Sequence, residues 1–274
     1  MKKLLPLILI FVLLFSACGD KLQATSCKLQ GDEGYGEELQ ASPTSNLQPP
    51  TSTTTLQAPT PTPYPEGTRI IYLTFDDGPS EHTDALLNTL SENNVKATFF
   101  VTGDAPDYYD CIGREFAEGH SVGIHCMHHK DYKMYNTYDG YWEDFNAIDE
   151  LIFSQTGEHT DIMRFPGGSS NWRSDQNSGM MTYLAYKVQD KGYTYFDWDA
   201  SSGDTERNLT AEAAFEEMKR QVENCREYAI LLNHDTMETT VEAMEQFIPW
   251  ALENGFAFEP LTPDCPTAHH MIHN

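Results

Sequence analysis

The sequence of 274 residues predicts an α/β fold, a distorted (β/α) barrel of about seven parallel strands in one domain. Short β-rich runs recur along the chain, and segments with apolar residues three and four positions apart lie between most of them. Several runs are apolar along their whole length, as expected of parallel strands that are covered on both faces. The alternation of strand and helix is therefore typical of a parallel sheet or barrel.

Seven strands are predicted in order, at 69–75 (RIIYLTF), 96–101 (KATFFV), 121–125 (SVGIH), 162–165 (IMRF), 194–198 (TYFDW), 228–233 (YAILLN) and 257–261 (AFEPL). Helical spacing is clearest at Leu86, Leu87 and Leu90, at Phe145, Ile148, Leu151 and Ile152, and at Ala214, Phe215, Met218 and Val222. Polar clusters follow most of the strands. Because the carboxyl ends of barrel strands gather at one face, we expect these clusters to converge there.

The chain is expected to be exported. Residues 1–17 consist of two lysines, an apolar run and a small-residue site, which together indicate a signal peptide. The run is too short to favour a permanent span, and LFSAC resembles a bacterial lipobox, which predicts a lipid anchor at Cys18. Ordinary cleaved secretion is the alternative. We expect an extracellular protein anchored to the outer face of the bacterial cytoplasmic membrane.

The remaining chain divides into three parts by composition. Residues 18–66 are rich in Thr, Pro and Ser and have few large apolar residues, so we expect a disordered stalk. Residues 67–262 have the size of one catalytic domain. Residues 263–274 form a polar C-terminal tail with three histidines, and we expect it to be flexible.

Charge and cysteine content limit the possible partners. The chain has 42 acidic and 17 basic residues and a net charge of −25, which argues against nucleic acid and favours an uncharged ligand. The five cysteines after Cys18 lack the spacing of a structural zinc site. A disulfide between Cys225 and Cys265 is possible, but the sequence does not assign one. It also leaves the oligomeric state open, and we expect a monomer.

A metal site is predicted at the ends of the first and third strands. His125 and His129 are four positions apart, which would place both imidazoles on one side of a helical turn where they could share an ion. Asp76 or Asp77 could add a carboxylate and complete the three-ligand set of a catalytic zinc, with one position left for water. The other aspartate would then stand where a base is needed. Histidines that only form surface hydrogen bonds are the alternative.

Five motifs in order resemble those of the polysaccharide deacetylases of carbohydrate esterase family 4, over residues 67–262. TFDDGPS is similar to the family's first motif, which implies Asp76 as the catalytic base and Asp77 as a metal ligand. HCMHH stands in the place of the H-[ST]-x-x-H motif, which implies His125 and His129 as the other two ligands. The ligand set suits zinc, and cobalt, nickel or iron(II) accept the same donors.

RFPGG is similar to the third motif of the family. The resemblance implies that Arg164 orients the base, that Pro166 lines the substrate groove and that the backbone N–H of Gly167 binds the oxyanion. An alternative for Arg164 is a surface salt bridge. Many members have an aromatic residue where this chain has Gly167, so one wall of the groove is expected to be missing.

DWDASSGD and LNH stand in the places of the fourth and fifth motifs. They imply that Trp198 lines the groove, that His234 is the general acid and that Asp204 is its partner. Trp198 could equally belong to the core. The usual final tryptophan of the fourth motif is replaced by threonine, so Asp199 and Asp197 remain alternative partners.

Cys126 and His128 lie within the second motif, between and beside its two histidine ligands. Cys126 replaces the usual Ser or Thr, which removes a hydroxyl and introduces a thiol that could compete as a metal ligand. His128 has no motif role, and we expect it to be solvated.

The resemblance implies a metal-dependent hydrolase that removes N-acetyl groups from the amino sugars of a glycan, with peptidoglycan as the first candidate substrate. Deacetylation of chitin oligosaccharides and O-deacetylation of the acetylxylan type are the alternatives. A hypothesis of another class is a glycan-binding lipoprotein without catalytic activity.

Overall fold

We analysed a computed structural model, which describes residues 64–130 and 132–273. The predicted signal peptide, Cys18 and all but the last three residues of the predicted stalk lie outside the described residues. The strands of the described part are β1 (Arg69–Asp76), β2 (Thr98–Thr102), β3 (Ser121–Cys126), β4 (Ile162–Met163), β5 (Thr194–Tyr195), β6 (Ala200–Ser201), β7 (Tyr228–His234) and β8 (Phe256–Phe258). Its α-helices are α1 (Thr83–Glu92), α2 (Asp110–Ala117), α3 (Tyr138–Thr156), α4 (Met180–Asp190), α5 (Ala211–Asn224) and α6 (Glu238–Glu253).

The strands form one parallel sheet in the order β5-β4-β3-β2-β1-β7-β6. β8 pairs with the first residues of β1, and β2 pairs with its last residues. The two edge strands, β5 and β6, are joined by residues 196–199 alone. Because so short a connection spans at most roughly 18 Å, the sheet must curl until its edges are close. The predicted α/β barrel is confirmed.

All seven predicted strands are present, but β4, β5 and β8 are at least two residues shorter than predicted. β4 and β5 have only two residues each, because Arg164 and Phe196 are followed by turn segments that leave the sheet. The short strand β6 was not predicted. The three helices indicated by apolar spacing correspond to α1, α3 and α5, whereas α2, α4 and α6 were not predicted.

The alternation of side chains along β1 divides the core into two parts. Ile71, Leu73 and Phe75 belong to the large cluster between the sheet and its helices, and Tyr72 belongs to a small cluster inside the barrel. Asp76 has the same parity as Tyr72, so its side chain points into the barrel at the carboxyl end of β1. The register also places Asp76 beside His234 of β7. Two polar residues far apart in sequence therefore meet at the mouth of the barrel.

The prediction of a flexible C-terminal tail is wrong for residues 268–270. The backbone N–H of Asp197 donates to the oxygen of Ala268 (2.9 Å), and the N–H of His270 donates to the Asp197 carboxylate (2.7 Å). The ring of His269 stacks on Tyr195 at 3.9 Å. The tail thus packs against residues that connect β5 and β6.

Cys225 and Cys265 are free thiols, so the possible disulfide between them is not formed. No helix within the described residues is long and apolar enough to cross a membrane.

Candidate active site

Asp76 and Arg164 form a buried ion pair at the mouth of the barrel. The Arg164 guanidinium donates to Asp76 Oδ1 (2.8 Å), to Thr74 Oγ1 (2.7 Å) and to the backbone oxygens of Phe196 (2.9 Å) and Asp197 (3.0 Å). Arg164 is fully buried and Asp76 is 3% exposed, which excludes the surface salt bridge considered for Arg164. A buried guanidinium that donates four hydrogen bonds from its five N–H groups is held in one orientation. The structure thus fixes the Asp76 carboxylate with one oxygen towards the arginine.

The Asp77 carboxylate lies next to two histidines. It has φ +71°, a left-handed conformation in which few residues other than glycine are found. Its Oδ1 lies 3.3 Å from Nε2 of His125 and 3.3 Å from Nε2 of His129. The two imidazoles stack with their centroids 5.3 Å apart. The structure therefore brings the three predicted metal ligands together.

The loop after Asp77 is held in place by Asp235, which follows the general-acid candidate in sequence. Asp235 accepts a hydrogen bond from Thr83 Oγ1 (2.5 Å), and its backbone oxygen accepts one from Ser80 Oγ (2.7 Å). A Cβ atom on Gly78 would lie 2.2 Å from the Asp235 carboxylate, so only glycine fits there. Burial raises the pKa of Asp235 to about 7.

The donor atoms of this cluster fit a divalent cation. Asp77 Oδ1 is buried and accepts no hydrogen bond from the described residues. His125 donates its Nδ1–H to the backbone oxygen of Arg164 (2.9 Å), so the lone pair of the neutral ring lies on Nε2, which points into the cluster. One ligand atom of each of Asp77, His125 and His129 lies within 4.8 Å of the others. Two imidazoles and one carboxylate are the ligand set of a catalytic zinc site.

The electrostatics of the cluster agree with this interpretation. Burial alone would raise the pKa of Asp77, but the neighbouring histidines His125, His129 and His234 outweigh it and hold the pKa below its usual range. Burial and the nearby His125 lower the pKa of His129. Both shifts favour the ionised carboxylate and the neutral imidazole, which are the forms that bind metals.

The helical turn predicted between His125 and His129 is not formed. β3 ends at Cys126, and an irregular loop follows. Its backbone N–H groups at Met127 and His128 donate to the Asp144 carboxylate (2.8 and 3.0 Å) instead of to a preceding turn. Asp144 lies on α3, and no motif in the sequence indicates its role.

Cys126 and His128 take no part in the cluster. Cys126 is 2% exposed within the hydrophobic core, and burial raises the pKa of its thiol well above the usual range. It is therefore not placed as a rival ligand. His128 is exposed as predicted, and its Nδ1 lies 3.2 Å from Asp144.

His234 faces the cluster from β7 and is paired with Asp204. Its Nδ1 lies 2.8 Å from Asp204 Oδ1, its Nε2 lies 4.0 Å from Asp77 Oδ2, and its backbone N–H donates to Asp204 Oδ2 (2.6 Å). Thr240 Oγ1 also donates to Asp204 Oδ2 (2.6 Å), a contact that the sequence did not predict. Burial would lower the pKa of His234, but the hydrogen bond and charge of Asp204 outweigh it and raise the pKa to about 9.

The two alternative partners of His234 lie elsewhere. Asp197 is fully buried and accepts hydrogen bonds from the backbone N–H of Ser169 (2.7 Å) and from the tail at His270 (2.7 Å). Asp199 is exposed and lies near the backbone N–H of Ile230 (3.4 Å).

Gly167 and Gly168 shape the edge of the site beside Trp198. Both have φ +76°, and a Cβ atom on Gly168 would lie 2.9 Å from the Trp198 ring. The backbone N–H of Gly167 has no acceptor among the described residues, and Gly167 is exposed. Trp198 is half-buried between this turn and His270, whereas Pro166 is buried. A free N–H at an exposed turn is available to a ligand.

Taken together, the mouth of the barrel holds three metal-ligand candidates between the buried carboxylate of Asp76 on one side and the Asp204-paired imidazole of His234 on the other. A depression of about 380 Å³ opens at Asp77 and His129, with Asp104, Tyr108 and Lys130 on its walls. A cation, a proton acceptor and a proton donor around an open space are the requirements of a metal-assisted hydrolase.

Comparison with known proteins identifies this class of hydrolase. Residues 64–186 match the family model described as "Polysaccharide deacetylase". A peptidoglycan-N-acetylglucosamine deacetylase of Bacillus cereus is 33% identical over 195 residues, which cover 70% of this chain and 68% of the relative. A chitin deacetylase of Colletotrichum lindemuthianum is 31% identical over 212 residues, which cover 75% of this chain and 80% of the relative.

The solved structures agree. The catalytic domain of a peptidoglycan N-acetylglucosamine deacetylase from Eubacterium rectale is 40% identical, with a TM-score of 0.74 over 79% of this chain and 99% of that chain. A polysaccharide deacetylase of Bacillus cereus is 30% identical, with a TM-score of 0.62 over 73% and 96% of the two chains. The chain belongs to the polysaccharide deacetylase family. It is a hydrolytic enzyme that deacetylates a glycan.

Proposed function

We propose that this deacetylase removes N-acetyl groups from the amino sugars of peptidoglycan, with a zinc ion held by Asp77, His125 and His129. The observation that carries the mechanism is the division of the two adjacent acids, because Asp76 pairs with Arg164 while Asp77 faces two imidazoles. The relatives from Bacillus cereus and Eubacterium rectale support the choice of substrate. Two imidazoles and a carboxylate support zinc, and cobalt, nickel or iron(II) would accept the same donors.

When bound, the ion would supply Lewis-acid polarisation of the acetyl carbonyl and acidify a water molecule. Asp76 accepts a proton from a water molecule while the oxygen of that water attacks the carbonyl carbon. Arg164 holds the carboxylate in place, with its guanidinium 2.8 Å from Asp76 Oδ1. General base catalysis of this kind contributes roughly 10²–10⁴ to the rate.

Departure of the amine requires a proton, because an amine anion is a very poor leaving group. We assign this step to His234, whose Nδ1 is held by Asp204 and whose Nε2 faces Asp77. As the bond from carbon to nitrogen breaks, the Nε2 proton passes to the nitrogen, and acetate and a free amino sugar result. The backbone N–H of Gly167 binds the carbonyl oxygen as it gains charge, a contribution of about 3–4 kcal/mol for a well-placed donor.

The pairing of His234 with Asp204 favours N-deacetylation over O-deacetylation, since an ester releases an alcohol that needs less help from an acid. Chitin oligosaccharides have the same N-acetyl group and remain a competing substrate. The alternative of a glycan-binding protein without activity predicts no acetate release at all.

Acetate release from purified peptidoglycan, chitin oligomers and acetylated xylan tests the proposal. We expect release from peptidoglycan that stops with a chelator and returns with zinc. Asp76→Asn should lower the rate by about 10³-fold. The exposed Asp199 provides the matched control, because Asp199→Asn changes an acid outside the site. Equal activity of Asp76→Asn and Asp199→Asn would refute the role of Asp76, and wild type without acetate release would refute the enzyme.

We also propose that the enzyme is exported and is held outside the cytoplasmic membrane by a lipid on Cys18, with residues 18–66 as a stalk. The lipobox-like sequence supports the anchor, and a stalk would let the domain reach the cell wall. The domain is proposed to act as a monomer. Cys18→Ser should move the protein from the membrane fraction to the medium, and an unchanged membrane fraction would refute the anchor.

A further inference from the structure

An aromatic and cationic stack extends outward from a metal-ligand candidate. The ring of Tyr132 packs against the ring of His129, with centroids 4.9 Å apart. The guanidinium carbon of Arg173 lies 4.8 Å from the centroid of Tyr132 and 4.1 Å from that of Trp172. We call Tyr132, Trp172 and Arg173 the aromatic ledge. It connects His129 to the solvent-exposed surface.

The backbone of the ledge is strained at Tyr132. Tyr132 has φ +50°, a left-handed conformation that is unfavourable for an aromatic residue. Its Cε1 lies 3.8 Å from the position that a Cβ atom on Gly167 would take. Tyr132 therefore lines the space next to Gly167.

Trp172 exposes a large apolar surface. Its side chain is 64% exposed although it packs against Arg173. An exposed indole next to a catalytic site is a suitable platform for the apolar face of a sugar ring. The position of the ledge beside His129 makes it continuous with the candidate active site.

Arg173 supplies an uncompensated positive charge. Its side chain is exposed and has no carboxylate within 4.0 Å among the described residues, whereas Arg114, Arg164, Lys187, Lys219 and Arg220 are all in ion pairs. Among the described residues, Arg69, Arg207 and Arg226 likewise have no carboxylate within 4.0 Å, but of these four arginines only Arg173 packs on an aromatic residue that contacts a metal-ligand candidate. Aromatic rings cover the faces of its guanidinium, so the N–H groups at its edge remain available to an anion.

We propose that the aromatic ledge is a substrate subsite that stacks a sugar ring on Trp172 and binds a carboxylate substituent of the glycan at Arg173. The inference rests on the proposed deacetylation of peptidoglycan. Peptidoglycan strands carry lactyl or peptide carboxylates next to the acetylated sugars, and chitin carries none. The subsite would therefore select an acidic glycan over a neutral one of the same length.

Binding is measured in the Asp76→Asn variant, so that turnover does not interfere. The two probes are a peptidoglycan tetrasaccharide with free carboxylates and the neutral tetramer of N-acetylglucosamine. Arg173→Ala should weaken binding of the acidic probe about tenfold and change binding of the neutral probe less than about twofold. Arg173→Lys should recover part of the loss. Trp172→Ala should weaken both probes about fivefold. In the active enzyme the same changes should appear in KM and not in kcat.

The chain offers a matched control in α4. Tyr186 is 63% exposed, and Lys187 Nζ lies 5.4 Å from its ring, so this pair resembles the ledge in exposure and chemistry but belongs to a helix surface. Tyr186→Ala and Lys187→Ala should leave both affinities unchanged. The proposal would be overturned if Arg173→Ala weakened binding of both probes equally or of neither probe. It would also be overturned if the control variants lost as much affinity for the acidic probe as Arg173→Ala. If the wild-type enzyme releases acetate from peptidoglycan, the proposed function holds, and any of these outcomes then counts against the subsite alone.

Discussion

Two buried histidines flank β3, His120 directly before its first residue and His125 near its last, and the two imidazoles are held in opposite ways. At the amino end, Nδ1 of His120 accepts a hydrogen bond from the backbone N–H of Ala97 (3.1 Å), so the proton lies on Nε2. At the carboxyl end, Nδ1 of His125 donates to the backbone oxygen of Arg164 (2.9 Å), so Nε2 holds a lone pair. The same side chain on one strand is thus a core residue at one end and a ligand candidate at the other.

This difference shows that the tautomer, set by one backbone contact, decides what each histidine can do. Nε2 of His120 is buried without a hydrogen-bond partner among the described residues, and the ring packs edge-on against Phe99. Nε2 of His125 instead points at Asp77 Oδ1, which is itself without a hydrogen bond. A cation would satisfy both groups at the carboxyl end, whereas at the amino end the Nε2–H of His120 lies 3.9 Å from Glu118 Oε2, a proton donor next to an acceptor, and has no lone pair for a cation.

The largest effect is expected from removing each imidazole in turn. His125→Ala deletes one of three ligand candidates, and zinc affinity should fall by more than about 100-fold, beyond the loss usual for residues that only support a ligand. His120→Ala should leave zinc affinity unchanged and lower the melting temperature, because it opens a cavity in the core. Competition with a chromogenic chelator and thermal unfolding measure the two quantities. Similar zinc affinities of the two variants would remove the distinction between the ends of β3.

A second, smaller effect concerns acid stability. Burial, together with the charge of Lys96, lowers the pKa of His120 to about 4, against about 6.5 in the unfolded chain. Between pH 6.5 and pH 4, His120 is protonated in the unfolded chain but not in the folded chain. The free energy of unfolding is therefore highest above pH 6.5 and falls as the pH drops towards 4. Between pH 7.5 and pH 5 this single group should cost about 2 kcal/mol of unfolding free energy.

Urea unfolding at the two pH values checks the acid effect in the wild type and in His120→Leu. The variant lacks the titrating group, so its loss of stability between pH 7.5 and pH 5 should be smaller by the stated amount. An identical pH dependence in both proteins would show that the pKa of His120 is the same in the folded and the unfolded chain, and so that burial does not lower it.

The sequence was informative where a residue's position follows from the strand that carries it. Asp76, His125 and His234 end apolar runs, and parallel strands must bring such ends to one face. The Asp204 pairing could only be chosen from three candidates, because its geometry depends on how the connection between β6 and α5 folds. α6 was missed partly because it contains Pro249, which lacks an N–H and usually ends a helix.

Contacts between distant segments could not be predicted. Residues 268–270 looked like a polar tail because their partners, the backbone at Asp197 and the ring of Tyr195, are about seventy residues away. Asp144 looked like an ordinary charge on the polar face of α3. Its function depends on the loop N–H groups that it faces, which no local pattern in the helix reveals.

The smallest predicted effect is the loss of zinc affinity when Asp144 is replaced, and Asp149 on the same helix provides the control. Asp144 and Asp149 both lie on α3 and both contact a histidine, but only Asp144 also accepts hydrogen bonds from the loop between His125 and His129. Asp144→Ala should release this loop and weaken zinc binding about tenfold, while Asp149→Ala should not change it. Asp144→Asn keeps one acceptor oxygen and should lose less than Asp144→Ala. If the two alanine variants bound zinc equally well, the loop would hold His129 without help from α3, and the metal site would depend on the strand ends alone.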